Sequence, residues 1–102
     1  MKPEPLLYGI KQEIWDKLLA ILHSLPQVQD IVLFGSRAKG NFKPGSDIDL
    51  CIKGSDISPP DLNRLLREMD DLDLPWEIDL LHYESLSDPA VKEHIDRMGI
   101  SL

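Results

Sequence analysis

The sequence predicts an α/β fold, a small mixed β-sheet of three or more strands with helices covering one face. Three observations carry this. The runs Ile31–Phe34, Asp47–Ile52 and Trp76–Leu81 are short and either continuously apolar or alternating, as strands are. Three other stretches repeat apolar residues at spacings of three and four, as amphipathic helices do. Turn and cap signals, Pro44-Gly45 and Ser58-Pro59-Pro60-Asp61 among them, separate the two kinds. At 102 residues the chain has the size of one domain. Residues 1–102 are accordingly read as a single unit.

Taken in order, residues 1–9 hold Pro3, Pro5 and Gly9 and read as an irregular arm. Lys11 to Leu25 is helical, with Ile14, Leu18, Ile21, Leu22 and Leu25 on one side and Pro26 as the stop. Ile31-Val32-Leu33-Phe34 has the continuous apolar look of a strand buried on both faces. After Gly35 there is room for a short helix. From Asp47 to Ile52 the residues alternate. Ile48, Leu50 and Ile52 share one face, and Asp47, Asp49 and Cys51 share the other. Ser58 suits an N-cap before the stripe Leu62, Leu65, Leu66, Met69. An acidic connector, Asp70-Asp71-Leu72-Asp73, leads to a third strand. There Trp76, Ile78 and Leu80 face one way, and Glu77, Asp79 and Leu81 the other. Ser87-Asp88-Pro89 opens a last helix whose apolar side is Ala90, Val91, His94, Ile95 and Met98, with Gly99 as its end.

Composition removes several function classes. Eleven basic residues against eighteen acidic ones give a net charge of −7. Such a surface repels a polyanion, so stable nucleic-acid binding is not expected and phosphate chemistry must be local. The longest apolar run, Leu18–Leu22, is far short of the ~20 residues that span a bilayer. No signal-peptide pattern precedes it, and the single cysteine, Cys51, has no internal partner for a disulfide. A cytoplasmic protein is expected, free or in an oligomer.

The chemistry-bearing residues sit on the strands. Asp47 and Asp49 are two apart, so on a strand their Cα atoms would stand roughly 6.5–7 Å apart on one face. Two carboxylates so placed repel unless a cation lies between them. Mg²⁺ takes hard oxygen ligands and is commonly shared between a few carboxylates and substrate phosphates. A pair of such ions can clamp the attacking and leaving oxygens of an in-line displacement. Asp79 is the candidate for a further ligand or a base. Upstream, the first strand runs into Gly35-Ser36. A glycine lets the backbone approach a ligand, and the helix start offers free N–H groups to a phosphate. Ser36 adds a hydroxyl, and Arg37 and Lys39 add positive charge.

The stretch Ile31-Val32-Leu33-Phe34-Gly35-Ser36-Arg37-Ala38-Lys39-Gly40, followed by Ser46-Asp47-Ile48-Asp49-Leu50, resembles the nucleotidyltransferases of the DNA-polymerase-β superfamily. That family's signature is Gly-Ser, about ten residues, then Asp-x-Asp between apolar residues; here Arg37 through Ser46 fill the gap. Ile78-Asp79-Leu80-Leu81 looks like its third-acid strand. The short chain resembles the minimal nucleotidyltransferase (MNT) branch, the antitoxin half of HEPN–MNT toxin–antitoxin pairs. The resemblance covers residues 31–81. It implies a polymerase-β-type core in which Gly35 and Ser36 hold a nucleoside triphosphate, with Arg37 and Lys39 as further phosphate contacts. It implies that Asp47, Asp49 and Asp79 are the catalytic acids and bind two Mg²⁺ ions. The implied reaction moves AMP from ATP to a hydroxyl of a HEPN-type toxin. Two alternatives accompany it. One is a non-catalytic antitoxin that neutralises its partner by binding, and the other is a small-molecule nucleotidyltransferase subunit. The short span after Leu81 offers little with which to build an acceptor pocket, which favours a protein acceptor.

The remaining polar residues read more plainly. Cys51 reads as a small core residue. His23, His82 and His94 lack metal-ligand spacing and read as surface or half-buried. Glu77, two residues before Asp79 on the same face, is the substitute third acid. Trp15 and Trp76 read as core or interface aromatics.

Overall fold

A computed structural model describes residues 6–102. It opens with a hairpin where the sequence suggests an arm. β1 (Leu6–Leu7) pairs antiparallel with β2 (Ile10–Lys11). The turn residues Tyr8 and Gly9 have φ of +53° and +80°, the two positive values that a type I′ turn needs. Strands of two residues are too short to show alternation, so nothing but the turn could announce them. Pro3 and Pro5, the other basis for an arm, lie outside the described residues.

The later elements are α1 (Gln12–His23), β3 (Asp30–Phe34), α2 (Gly35–Lys39), β4 (Ile48–Lys53), α3 (Pro59–Asp70), β5 (Ile78–His82), α4 (Pro89–Met98) and β6 (Ile100–Ser101), with a 3₁₀ turn at Tyr83–Ser85. The helix starts follow their caps. Ser58 Oγ accepts from the Asp61 N–H, and the Asp61 carboxylate accepts from the Ser58 N–H, at 3.3 and 3.0 Å. This reciprocal box satisfies two donors that the helix itself cannot. The Asp88 carboxylate does the same for Ala90 N–H at the start of α4.

The sheet order is β5-β4-β3-β6. β3 pairs antiparallel with β4 and β6, while β4 and β5 run parallel, joined by the α3 crossover. Ile31, Leu33, Ile48, Leu50 and Ile52 make one face and are buried in the main core with Leu18 and Leu22 of α1 and Leu65 and Met69 of α3. The expectation of helices on a single face needs correcting. α4 packs Ile95 against Val32 and Cys51 on the opposite face. The reason is visible in β3 and β4: Val32 and Cys51, paired across them, lie on the acids' side and are themselves apolar, so that half of the face needs a cover. The end that carries the acids stays open, with Asp47 and Asp79 exposed. Among the described residues no helix is long and apolar enough to cross a membrane.

Candidate active site

Sheet register assembles the site. Phe34, Asp49 and Asp79 are directly opposite one another across β3, β4 and β5. The residue after Phe34 is Gly35, which begins α2 at φ +73°. A Cβ at that position would run into the Asp49 carboxylate. Gly35 therefore meets two demands at once, a left-handed backbone and close contact with the Asp49 carboxylate. α2 is only five residues long and closes on Gly40 in the left-handed conformation, whose N–H bonds Ser36 O at 3.0 Å. Its first N–H groups have no helical partner, and Ser36 stands half-exposed beside them.

The three acids differ in setting. Asp47 is exposed and precedes β4 rather than belonging to it. Asp79 is exposed on β5, and Asp49 is half-buried between them. The Asp49 carboxyl is pushed up to about 6. Burial is the main cause, followed by its hydrogen bond to the Asp79 carboxyl and the charges of Asp79 and Asp47. Two neighbouring carboxylates cannot both ionise cheaply, so Asp49 keeps its proton to a higher pH than an isolated carboxyl does. Among the described residues no three acids, histidines or cysteines are drawn together as a ready-made metal cluster. The donor set nevertheless suits Mg²⁺: hard carboxylate oxygens, with substrate phosphates to complete the shell. Glu77 is exposed and does not reach β5; its carbonyl accepts from Ile48 N–H at 2.9 Å.

Arg37 corrects a sequence-based expectation. It is not placed to meet a phosphate, being 1% exposed. Its guanidinium donates to Tyr8 O at 2.8 Å, Pro44 O at 3.1 Å and Ser46 O at 2.8 Å. It also lies over the rings of Phe42 and Trp76, at 5.0 and 5.6 Å from their centroids. A buried cation needs such partners, and burial lowers its pKa from the ordinary arginine value. Trp76 Nε1 donates to Pro44 O at 2.7 Å, and Lys43 N–H to Ser46 Oγ at 2.9 Å. Together these bonds pin the loop from Gly40 to Ser46. Arg37 is thus a positioning residue for Asp47, the next residue along. Lys39 is exposed at the end of α2.

Other residues fall as follows. Cys51 is fully buried, and burial pushes its thiol up to about 12, which leaves it a packing residue. His82 is more buried than its spacing suggests. Its ring joins Gly54 O at 2.6 Å and Ser85 Oγ at 2.7 Å, at the end of the sheet away from the acids. His94 packs edge-on to Phe34. Sequence reasoning placed Phe34, Leu66, Ile78, Leu80 and Leu81 only in the core or on strand faces. With Asp49 and Asp79 they line a cleft of about 300 Å³. The apolar pattern that signals a core also signals a cleft wall, so sequence alone does not separate the two.

Comparison with known proteins agrees with this geometry. The chain is 37% identical over 82 residues to "Probable protein adenylyltransferase MntA" of Haemophilus influenzae, covering 78% of this chain and 70% of that one. It is 32% identical over 87 residues to a protein of Methanocaldococcus jannaschii that carries a provisional protein-adenylyltransferase name, covering 83% and 87% of the two. A solved toxin–antitoxin complex with AMP-PNP superposes with a TM-score of 0.71 at 25% identity, over 84% of this chain and 69% of that one. The fold is also that of the complex of a tri-AMPylated Shewanella oneidensis HEPN toxin with its MNT antitoxin. There the TM-score is 0.68 at 22% identity, with 88% and 69% covered. A family profile described as "Polymerase beta, Nucleotidyltransferase" matches residues 16–102, which include Gly35, Ser36 and all three acids, and the chain belongs to that family.

Proposed function

We propose that this protein transfers AMP from ATP to a hydroxyl group of a HEPN-type toxin and so acts as its antitoxin. The observation that carries the reading is the alignment of Gly35, Asp49 and Asp79. A backbone cleared of side chain abuts one acid, and that acid lies directly across the sheet from the next and hydrogen-bonds to it. Half-exposed Ser36 and the start of α2 stand beside these acids, with negative charge gathered where a divalent cation would offset it. The relatives named as protein adenylyltransferases, and the AMP-PNP and AMPylated-toxin complexes, support the same substrate and partner.

In this mechanism Gly35 admits the phosphates to the backbone, while Ser36 and the free N–H groups of α2 orient them. Lys39 is the cation left to reach the triphosphate, since Arg37 is committed to the loop. Asp47, Asp49 and Asp79 would hold Mg²⁺, two ions in the full site. When bound, these supply electrostatic stabilisation of the charge that builds on the α-phosphate and the leaving pyrophosphate. Asp79, exposed at the sheet edge, receives the proton of the attacking hydroxyl. The acceptor oxygen bonds to the α-phosphorus, the bond to the pyrophosphate breaks, and pyrophosphate departs.

The reading is tested by incubating the purified toxin with this protein, Mg²⁺ and ATP labelled at the α-phosphate. Label should pass to the toxin with the natural protein and not with Asp49→Asn or Asp79→Asn. Equal labelling by these variants would remove the acids from the reaction.

A further inference from the structure

β5 is the last strand of the sheet, so one of its edges has no strand neighbour among the described residues. The parallel register with β4, together with the bond from Ile48 N–H to Glu77 O, fixes which groups face which way. Glu77, Asp79 and Leu81 turn their backbone polar groups toward β4. Ile78 and Leu80 turn theirs outward, where no strand among the described residues pairs with them. The cleft of about 300 Å³ wraps around this edge. On one side it is walled by Leu66, Ile78 and Leu80, which belong with the main core. On the other it is walled by Phe34, Leu81, Asp49 and Asp79. A free strand edge thus runs beside the acids of the site.

Resting on the function proposed above, we infer that the acceptor is delivered as an extended segment of the partner protein that adds to the β5 edge. An added strand lies about 4.8 Å away and sends alternate side chains to opposite faces. A hydroxyl residue opposite Asp79 then points to the acid face, within the cleft that Asp49 and Asp79 line. Its two neighbours point the other way, toward Leu66, Ile78 and Leu80, and are apolar. Charge sets the rest of the segment. Asp70, Asp71, Asp73, Glu77 and Asp79 are all exposed on the approach to this edge or on it, as is Asp47 across the site. The segment is therefore basic on its flanks, which also favours a protein over a polyanionic acceptor.

The test is residue-resolved amide hydrogen exchange of the natural protein, alone and with the purified HEPN-type partner, alongside measurement of AMP transfer. The amides of Ile78 and Leu80 should slow at least tenfold on adding partner. Those of Asp79 and Leu81, already bonded to β4, should change little. Ile78→Pro, which removes an outward N–H at the first position of an edge strand, should raise KM for the partner at least tenfold. AMP transfer with unchanged exchange at Ile78 and Leu80 overturns the edge docking and leaves the transferase reading standing. Protection at the edge with no transfer supports the docking and overturns the transferase reading. Protection that grows with protein concentration in the absence of partner shows that a second copy takes the edge, and overturns the inference. Failure of the partner to bind at all overturns both.

Discussion

Replacing Asp49 with asparagine should stabilise the protein at neutral pH while abolishing its chemistry. The Asp49 carboxyl is pushed up from the ordinary 3.8 to about 6. Between those values the native state holds a proton that the unfolded state releases. Stability therefore falls as pH rises toward 6 and stays lowered above it. At about 1.4 kcal/mol for each pKa unit the full penalty would be about 3 kcal/mol. The group is only half-buried, and screening by water reduces this to about 1 kcal/mol. Asp49→Asn cannot ionise and escapes the penalty. At pH 8, with chelator present, its Tm should exceed the natural protein's by roughly 4–8 °C, the usual yield of 1 kcal/mol in a domain this small. At pH 4, near the unfolded-state value, the difference should almost vanish. Added Mg²⁺ with ATP should raise the Tm of the natural protein, by binding only the native state, and leave Asp49→Asn nearly unmoved. A variant that melts no higher at pH 8, or gains equally at pH 4 and pH 8, would show that like-charge strain is not what Asp49 carries.

Gly35→Ala should cost about 1–2 kcal/mol from the left-handed backbone alone and displace the Asp49 carboxylate. Calorimetry should accordingly show ATP affinity lost along with stability. Arg37→Lys should destabilise by about 2–3 kcal/mol, because an ammonium cannot serve three carbonyls in the fork geometry of a guanidinium. Denaturant titration measures the loss, and an unchanged midpoint would refute the clasp. Lys39→Ala should leave stability within about 0.5 kcal/mol while weakening ATP binding. Equal ATP affinity would take Lys39 out of the phosphate site.

Much of this was legible in the residues. The alternation of Ile48, Leu50 and Ile52 with Asp49 and Cys51 placed the acid on the correct face. The apolar run Ile31–Phe34 foretold a strand covered on both sides. The box at Ser58 and Asp61 set the start of α3. What escaped has physical reasons. The hairpin of β1 and β2 and the strand β6 have two residues each, too few for any period, and they exist because neighbouring elements pair with or cover them. Arg37 carries the same formal charge as a phosphate ligand. Only the fold shows that Tyr8 O, from 29 residues upstream, already occupies it. The pairing of Asp49 with Asp79 depends on a register between strands joined by a long crossover, which no local pattern encodes. His82 likewise becomes a clasp through Gly54, 28 residues away.

Intact mass spectrometry of the HEPN-type partner, co-produced with the natural protein or with Asp47→Asn, tests whether the acids of this site move a nucleotide onto a partner protein. With the natural protein, one or more AMP masses should be added on a tyrosine, serine or threonine and the partner should lose its toxicity; with Asp47→Asn neither change should occur. Full neutralisation of the partner by Asp47→Asn with no added mass would contradict it, and would leave binding alone as the means by which this protein silences its partner.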